Sequence, residues 1–265
     1  MNTLSSRDGT AIAYDKEGAG PALILVDGAL TVHSSGSGSE LARLLAPRFT
    51  VCGFDRRGRG DSGNTLPYAV DREIDDIEAL TDQAGGSAYL YGHSSGGPLA
   101  MQAAIRLGSK VTKIAMYEPP YNNDPGAQQS WSQYLGQLRQ TLAEGRRGDA
   151  VALFMRLIGT PAEQIEGMRH APFWPGLEAV APTLAYDHAA ILGEPWSVPT
   201  ELAARVRVPA LVITGDAGLP FMPDAARTLS RAIPQGQLRM LAGQTHEVEP
   251  AALAPVLVEF FTGRD

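Results

Sequence analysis

The chain of 265 residues has one cysteine, Cys52. An internal disulfide framework is thereby excluded, and Cys52, within a strand-like run, reads as a small buried apolar side chain. No apolar run approaches the roughly 20 residues that a membrane helix requires. The opening Met-Asn-Thr-Leu-Ser-Ser-Arg-Asp is too polar for a secretory signal. A soluble cytoplasmic protein with no membrane partner is the expectation. Positive charge is also scarce: 22 Lys and Arg against 29 Asp and Glu give a net charge of −7. The densest basic stretch, Arg56-Arg57-Gly58-Arg59, reads as a solvated loop, so nucleic acid is not an expected partner. The five histidines are not paired at ligand spacing, and no metal or other cofactor is expected. Gly58 and Gly60 are not followed by Gly-Lys-Ser/Thr, which excludes a phosphate loop there. Repeats and low-complexity linkers are missing too. At 44% hydrophobic and 19% charged residues, the chain reads as a globular protein with a full core.

What the sequence does contain is an alternation of strand-like and helix-like runs. The strands expected are Ala11–Tyr14, Ala22–Val26, Phe49–Phe54, Ala88–Tyr91, Lys110–Tyr117, Ala210–Thr214 and Gln237–Leu241. Helices are expected at Ser39–Leu45, Asp71–Ala84, Pro98–Leu107, Asp224–Ala232 and Ala251–Phe261. In the second of these Ile74, Ile77, Leu80 and Thr81 share one face. Such a pattern predicts an α/β fold with a mostly parallel sheet covered on both faces. The alternation stops between Pro119 and about Arg205, a stretch with nine prolines and all three tryptophans. It reads as a helical cap over residues 119–205, inserted into a core formed by 1–118 and 206–265.

Within the core, Ala88–Tyr91 leads into Gly92-His93-Ser94-Ser95-Gly96-Gly97, followed by a helix-like run. Strand, Gly-x-Ser-x-Gly, helix is the context of a nucleophile elbow. The turn forces Ser94 into a strained backbone conformation, and glycines at 92 and 96 remove Cβ atoms that would clash. A serine hydroxyl is a poor nucleophile at neutral pH, so it needs a base, and the base needs a carboxylate to fix its tautomer. His33 lies early, His93 belongs to the elbow and is expected to point away from Ser94, and His170 and His188 lie in the insertion. His246 follows the last strand, after Gly243-Gln-Thr, and is the expected base.

Four features now coincide: the elbow, the Asp27-Gly28 turn, the Asp55–Ser62 turn and Gly243-Gln-Thr-His246. Together they make the chain resemble an α/β-hydrolase with a lid. In that family the acid usually follows the penultimate strand in a Gly-Asp-x-Asp-like turn. Here the turn reads Gly215-Asp216-Ala217-Gly218, so Asp216 is present but Gly218 occupies the usual acid position. Met116-Tyr117-Glu118-Pro119-Pro120 offers Glu118 one strand earlier. That arrangement resembles the zearalenone-lactone hydrolases, a branch whose acid is a glutamate in a similar Glu-x-Pro context. Glu118 is the expected acid and Asp216 the alternative.

The oxyanion hole needs two preorganised N–H donors. Ser95 is expected to supply one. The resemblance to the lactonase branch favours Gly28 for the other, with Ala29 as alternative; Asp27 either braces this loop or makes a turn. The Ser34–Ser39 run is either a rim around substrate or a solvated connection. Asp55 and the Arg56–Ser62 segment read as a structural turn. In the insertion, Trp131, Phe154 and Trp174 are candidates for an apolar substrate pocket. The resulting expectation is a serine hydrolase cleaving a hydrophobic small-molecule ester or lactone through an acyl-enzyme. A thioesterase or a cofactor-free perhydrolase or haloperoxidase-like enzyme is compatible with the same residues, and a non-catalytic ligand-binding protein is the rival from another class. Epoxide hydrolases and haloalkane dehalogenases normally carry aspartate where Ser94 stands. A homodimer is left open.

Overall fold

Two antiparallel strands, β1 (Asn2–Ser5) and β2 (Ala11–Glu17), begin a computed structural model that describes residues 1–33 and 38–263. The Ser34–Ser39 run expected at the rim thus falls largely outside the described residues. After β2 come β3 (Ala22–Val26), β4 (Thr50–Phe54), β5 (Ala88–His93), β6 (Val111–Tyr117), β7 (Ala210–Gly215) and β8 (Gly236–Leu241). Among the described residues they form an eight-stranded sheet of order β1-β2-β4-β3-β5-β6-β7-β8, parallel from β4 onward. The sequence reading missed β1. Its Asn-Thr-Leu-Ser is polar and mostly exposed, so it lacks the apolar signature of a buried strand.

The central strands are buried on both faces, and the two-residue side-chain period sorts them into two cores. In β3, Ala22, Ile24 and Val26 face one layer, while Leu23 and Leu25 face the other. The first layer is covered by α2 (Val70–Gln83), α3 (Gly96–Leu107) and, from further along the chain, the helix Met222–Ala232. The expected stripe Ile74, Ile77, Leu80 and Thr81 is buried there. The second layer is covered by α1 (Gly38–Leu45) and the last helix, Pro250–Thr262.

β6 and β7 are neighbours in the sheet, and the chain between them carries helices and no strand. These are α4 (Pro125–Ala143), α5 (Arg147–Leu157), α6 (Ala162–Arg169), α7 (Trp174–Val180), a π-helical segment Tyr186–Leu192 and the short α8 (Thr200–Ala203). The two later helices are therefore α9 and α10. Entry into the insertion is fixed by a cap: Pro125 opens α4, and the Asp124 carboxylate accepts the Ala127 N–H at 2.8 Å. The insertion has its own apolar cluster, including Trp131, Leu138 and Val151. Ala29 and Leu30 pack against it from the loop after β3, and Phe221 from the loop after β7. It therefore rests on the carboxyl end of the sheet, where open α/β sheets place their sites. Among the described residues no helix is long and apolar enough to cross a membrane.

Candidate active site

Strand register assembles the site. Val26 pairs with Gly92 and His93 with Tyr117, so Gly28, Ser94 and Glu118 leave three adjacent strands at the same level. Ser94 sits at φ +52° and Glu118 at φ +45°. Left-handed conformations cost a non-glycine residue about 1–3 kcal/mol and persist only where the surroundings impose them. Here main-chain bonds impose them: the Ser94 N–H donates to Tyr117 O and the Glu118 N–H to Ile213 O, each at 2.9 Å.

The Glu118 carboxylate is buried and fully engaged. Its Oε1 accepts from the Gly215 N–H at 2.9 Å and the Thr214 hydroxyl at 3.1 Å, while Oε2 bonds His246 Nδ1 at 2.8 Å. Burial acts to raise its pKa, but the His246 ring and the Gly215 N–H outweigh it and hold the carboxyl below its ordinary value. A Cβ on Gly218 would lie 3.4 Å from His246 N and 3.7 Å from Glu118 Oε1. The position that usually carries the acid thus borders the space that Glu118 fills. Asp216 is engaged elsewhere: its Oδ1 accepts the Gly243 N–H at 2.6 Å and ties two loops together.

Two residues that the sequence reading left without a role hold the His246 loop. His93, expected only to point away from Ser94, lies with its ring 5.0 Å from that of His246 and its Nε2 3.0 Å from the His246 carbonyl. Burial and the neighbouring His246 hold the His93 pKa at about 4, so at neutral pH the ring is uncharged and its Nε2–H donates to that carbonyl. The Tyr117 hydroxyl donates to Thr245 O at 2.5 Å. Among the other histidines, His33 is buried against Gly53 and His170 is exposed.

Gly28 packs directly on the serine: a Cβ there would lie 2.9 Å from Ser94 Cβ and 3.5 Å from its Oγ. Behind this loop the structure overturns one expectation. Arg56, Arg57 and Arg59 do not form a solvated loop; each is 1% exposed. Arg57 pairs with Asp76 at 2.8 and 2.7 Å, and Arg56 pairs with Glu73 at 2.8 Å through both arms. Asp187, from the insertion, accepts from Arg56 at 2.7 Å, from Arg59 at 2.5 Å and from the Ser95 hydroxyl at 2.8 Å. Three buried guanidiniums survive because each has a carboxylate partner. Burial acts to lower Arg56, but Asp187 and Glu73 more than offset it, whereas Arg59 stays lowered by burial and by Arg56. The spacing of Glu73 and Asp76 beside the apolar stripe of α2 was a signal for these partners; nothing local marked Asp187. Asp55 does serve as the structural turn, accepting from the His33 and Asp61 N–H groups at 2.9 Å.

Of the three candidate pocket residues, Trp131 and Phe154 meet around His188, with ring centroids 5.3 and 5.0 Å from it. Trp174 is tied down elsewhere in the insertion, donating to Glu178 at 2.9 Å beneath the Arg169 guanidinium. His188 is 3% exposed and shares a 2.7 Å hydrogen bond with the Tyr134 hydroxyl. Burial lowers its pKa from 6.5 to about 4. Between those two values the unfolded chain binds the extra proton, so stability is complete above the unfolded pKa and is lost as pH falls toward the folded one. That loss should be about 3 kcal/mol for this residue. Denaturant titrations at pH 7.5 and 4.5 should show His188→Gln losing less stability than the wild type by most of that amount. Equal losses would show that His188 is not held neutral.

The model of the alpha/beta hydrolase fold family matches residues 21–248. An alpha/beta hydrolase from Sphaerobacter thermophilus is similar, with 46% identity over 98% of this chain and 100% of that one and a TM-score of 0.86. An enol-lactonase from Burkholderia xenovorans shares 23% identity over 98% of this chain and 100% of its own, at a TM-score of 0.71. A protein of Pestalotiopsis fici named proline iminopeptidase PfmaB is 22% identical over 86% of each chain. At such identity the enol-lactonase shows the fold alone.

Proposed function

We propose that this chain, which belongs to the alpha/beta hydrolase family, is a serine hydrolase acting on carboxylic esters or lactones of hydrophobic small molecules. The observation that carries the reading is the buried Glu118 carboxylate on His246 Nδ1, at the end of the strand next to the one whose strand–helix turn holds Ser94 at its left-handed tip. In the neutral ring, Nδ1–H donating to Glu118 makes Nε2 the nitrogen that can accept a proton. Ser94 Oγ attacks the carbonyl carbon as His246 takes the hydroxyl proton. The oxyanion is received by the Ser95 N–H and by Gly28 or Ala29, at the positive end of α3. Collapse breaks the acyl–oxygen bond, and His246 protonates the leaving alkoxide. Water, deprotonated by the same histidine, then releases the acid and regenerates Ser94. With a lactone, acid and alcohol stay in one molecule and the ring opens.

The glutamate as acid, the Glu-x-Pro context and the lack of the usual aspartate at 218 resemble the zearalenone-lactone hydrolases, and they favour lactones among the substrates to screen. The insertion's apolar cluster, which Ala29 and Leu30 of the loop after β3 join, favours an apolar acyl or alkoxy part. A reactive fluorophosphonate should label Ser94 stoichiometrically, as read by peptide mass mapping, and Ser94→Ala should remove both the adduct and p-nitrophenyl butyrate hydrolysis. A folded wild type that is neither labelled nor active would overturn the reading.

A further inference from the structure

The acyl-transfer steps make no direct use of the buried charges behind the oxyanion loop. Their hydrogen bonds, however, converge on its peptides. Arg56 Nη1 donates to the Asp27 carbonyl at 3.1 Å, and Arg59 Nη1 donates to the Gly28 carbonyl. In a trans peptide the N–H points opposite to the C=O. Holding the Asp27 carbonyl therefore aims the Gly28 N–H, and holding the Gly28 carbonyl aims the Ala29 N–H, each away from the arginines. Both candidate donors of the loop are fixed in this way. The donor on the other side, the Ser95 N–H, belongs to a residue whose hydroxyl bonds Asp187 at 2.8 Å. Asp187 also bridges the two guanidiniums, at 2.7 and 2.5 Å. One carboxylate from the π-helical segment thus reaches both halves of the oxyanion hole.

We infer that Asp187, Arg56 and Arg59 are positioning residues for the oxyanion hole, and that seating the helical insertion on the sheet aligns the hole's two sides. This rests on the serine-hydrolase reading above. The physical need is clear from the exposed alternative. A peptide that can flip presents its carbonyl to the developing oxyanion and repels it. Without the Asp187 charge, Arg59 loses its carboxylate partner and its hold on the Gly28 carbonyl loosens. Arg56 keeps Glu73, so the damage is greatest at the Gly28–Ala29 peptide.

The test compares Asp187→Asn with Asp76→Asn, using p-nitrophenyl butyrate kinetics, fluorophosphonate labelling rates and thermal melts. Asp76 pairs with Arg57 in the same turn, a buried ion pair of the same kind that touches no oxyanion peptide. Asp187→Asn should lower kcat by about 100-fold with KM within about threefold, because misaimed donors are missed chiefly in the transition state. Labelling should slow in parallel. Asp76→Asn should lower Tm while keeping kcat within about threefold. A folded Asp187→Asn protein with undiminished kcat, or an equal loss in Asp76→Asn, would overturn the inference. If Asp187→Asn does not fold, Ser95→Ala decides. It removes only the hydroxyl anchor and should lower kcat about fivefold at constant KM; an unchanged kcat overturns the inference. A wild type silent toward both ester and fluorophosphonate would mark failure of the serine-hydrolase reading itself, visible without any variant, and the inference falls with it.

Discussion

Replacing Glu118 by glutamine should lower kcat for ester hydrolysis by about 10³–10⁴-fold, with KM little changed. The reason is tautomeric. Glu118 Oε1 is held by the Gly215 N–H at 2.9 Å and the Thr214 hydroxyl at 3.1 Å. A glutamine placing its oxygen on those donors must turn its NH₂ toward His246 Nδ1. That nitrogen then becomes the acceptor, Nε2 carries the proton, and the face needed as base is blocked. The imidazolium of the transition state also loses its counter-charge. Asp216→Asn should stay within about threefold in kcat, because an amide oxygen still accepts the Gly243 N–H that Asp216 now holds. Steady-state kinetics on one activated ester, with circular dichroism to confirm folding, separates the two. The reverse order of effects would move the acid to Asp216. The depressed Glu118 pKa adds a pH test. Its contribution to stability is full above the unfolded carboxyl value of about 4.3 and fades as pH falls through the lower folded value. Glu118→Gln should flatten that acid limb.

The parts of this site that were readable in the sequence are those encoded over short stretches. The elbow lies within six residues, and the glutamate announces itself by ending an apolar strand before two prolines. His246 follows from chain order once the last strand is placed. The sheet was readable because strands buried on both faces are continuous apolar runs, and β1 was not, since its edge position tolerates Asn, Thr and Ser. The arginines were misread for a different reason. Three arginines around a glycine look solvated unless their partners are known, and the partners lie on α2 and on a segment some 130 residues further along the chain. Asp187 carries no local motif; its role is created by the docking of the insertion. Long-range ion pairs of this kind are specified by tertiary contact, so periodicity and composition do not register them.

Gly96→Ala should cost about 3 kcal/mol or more in stability. Whatever fraction folds should be at least about 100-fold slower. A Cβ at Gly96 would fall on the Val26 carbonyl oxygen, with the Asp27 carbonyl oxygen 2.8 Å away. Both obstacles are main chain, and Val26 is locked in register with Gly92, so no side-chain rotation relieves the clash. Relief requires the start of α3 to move off the end of β3. That motion separates the Ser95 N–H from the Gly28 loop, the two sides of the proposed oxyanion hole, and a displacement of about 1 Å there costs about 10²-fold. The neighbouring glycine supplies the comparison. At Gly97 a Cβ would meet Met116 Cβ and Pro119 Cγ, each at 3.3 Å, contacts that give by a few tenths of an ångström. Alanine also gains about 1 kcal/mol over glycine inside a helix. Gly97→Ala should therefore remain within about 1 kcal/mol of the wild type and keep its kcat within about threefold. Equal behaviour of the two alanine variants would show that the elbow is not held by the close approach of α3 to β3. A loss confined to Gly96→Ala would tie the chemistry to that approach, since the two changes add the same methyl group one residue apart.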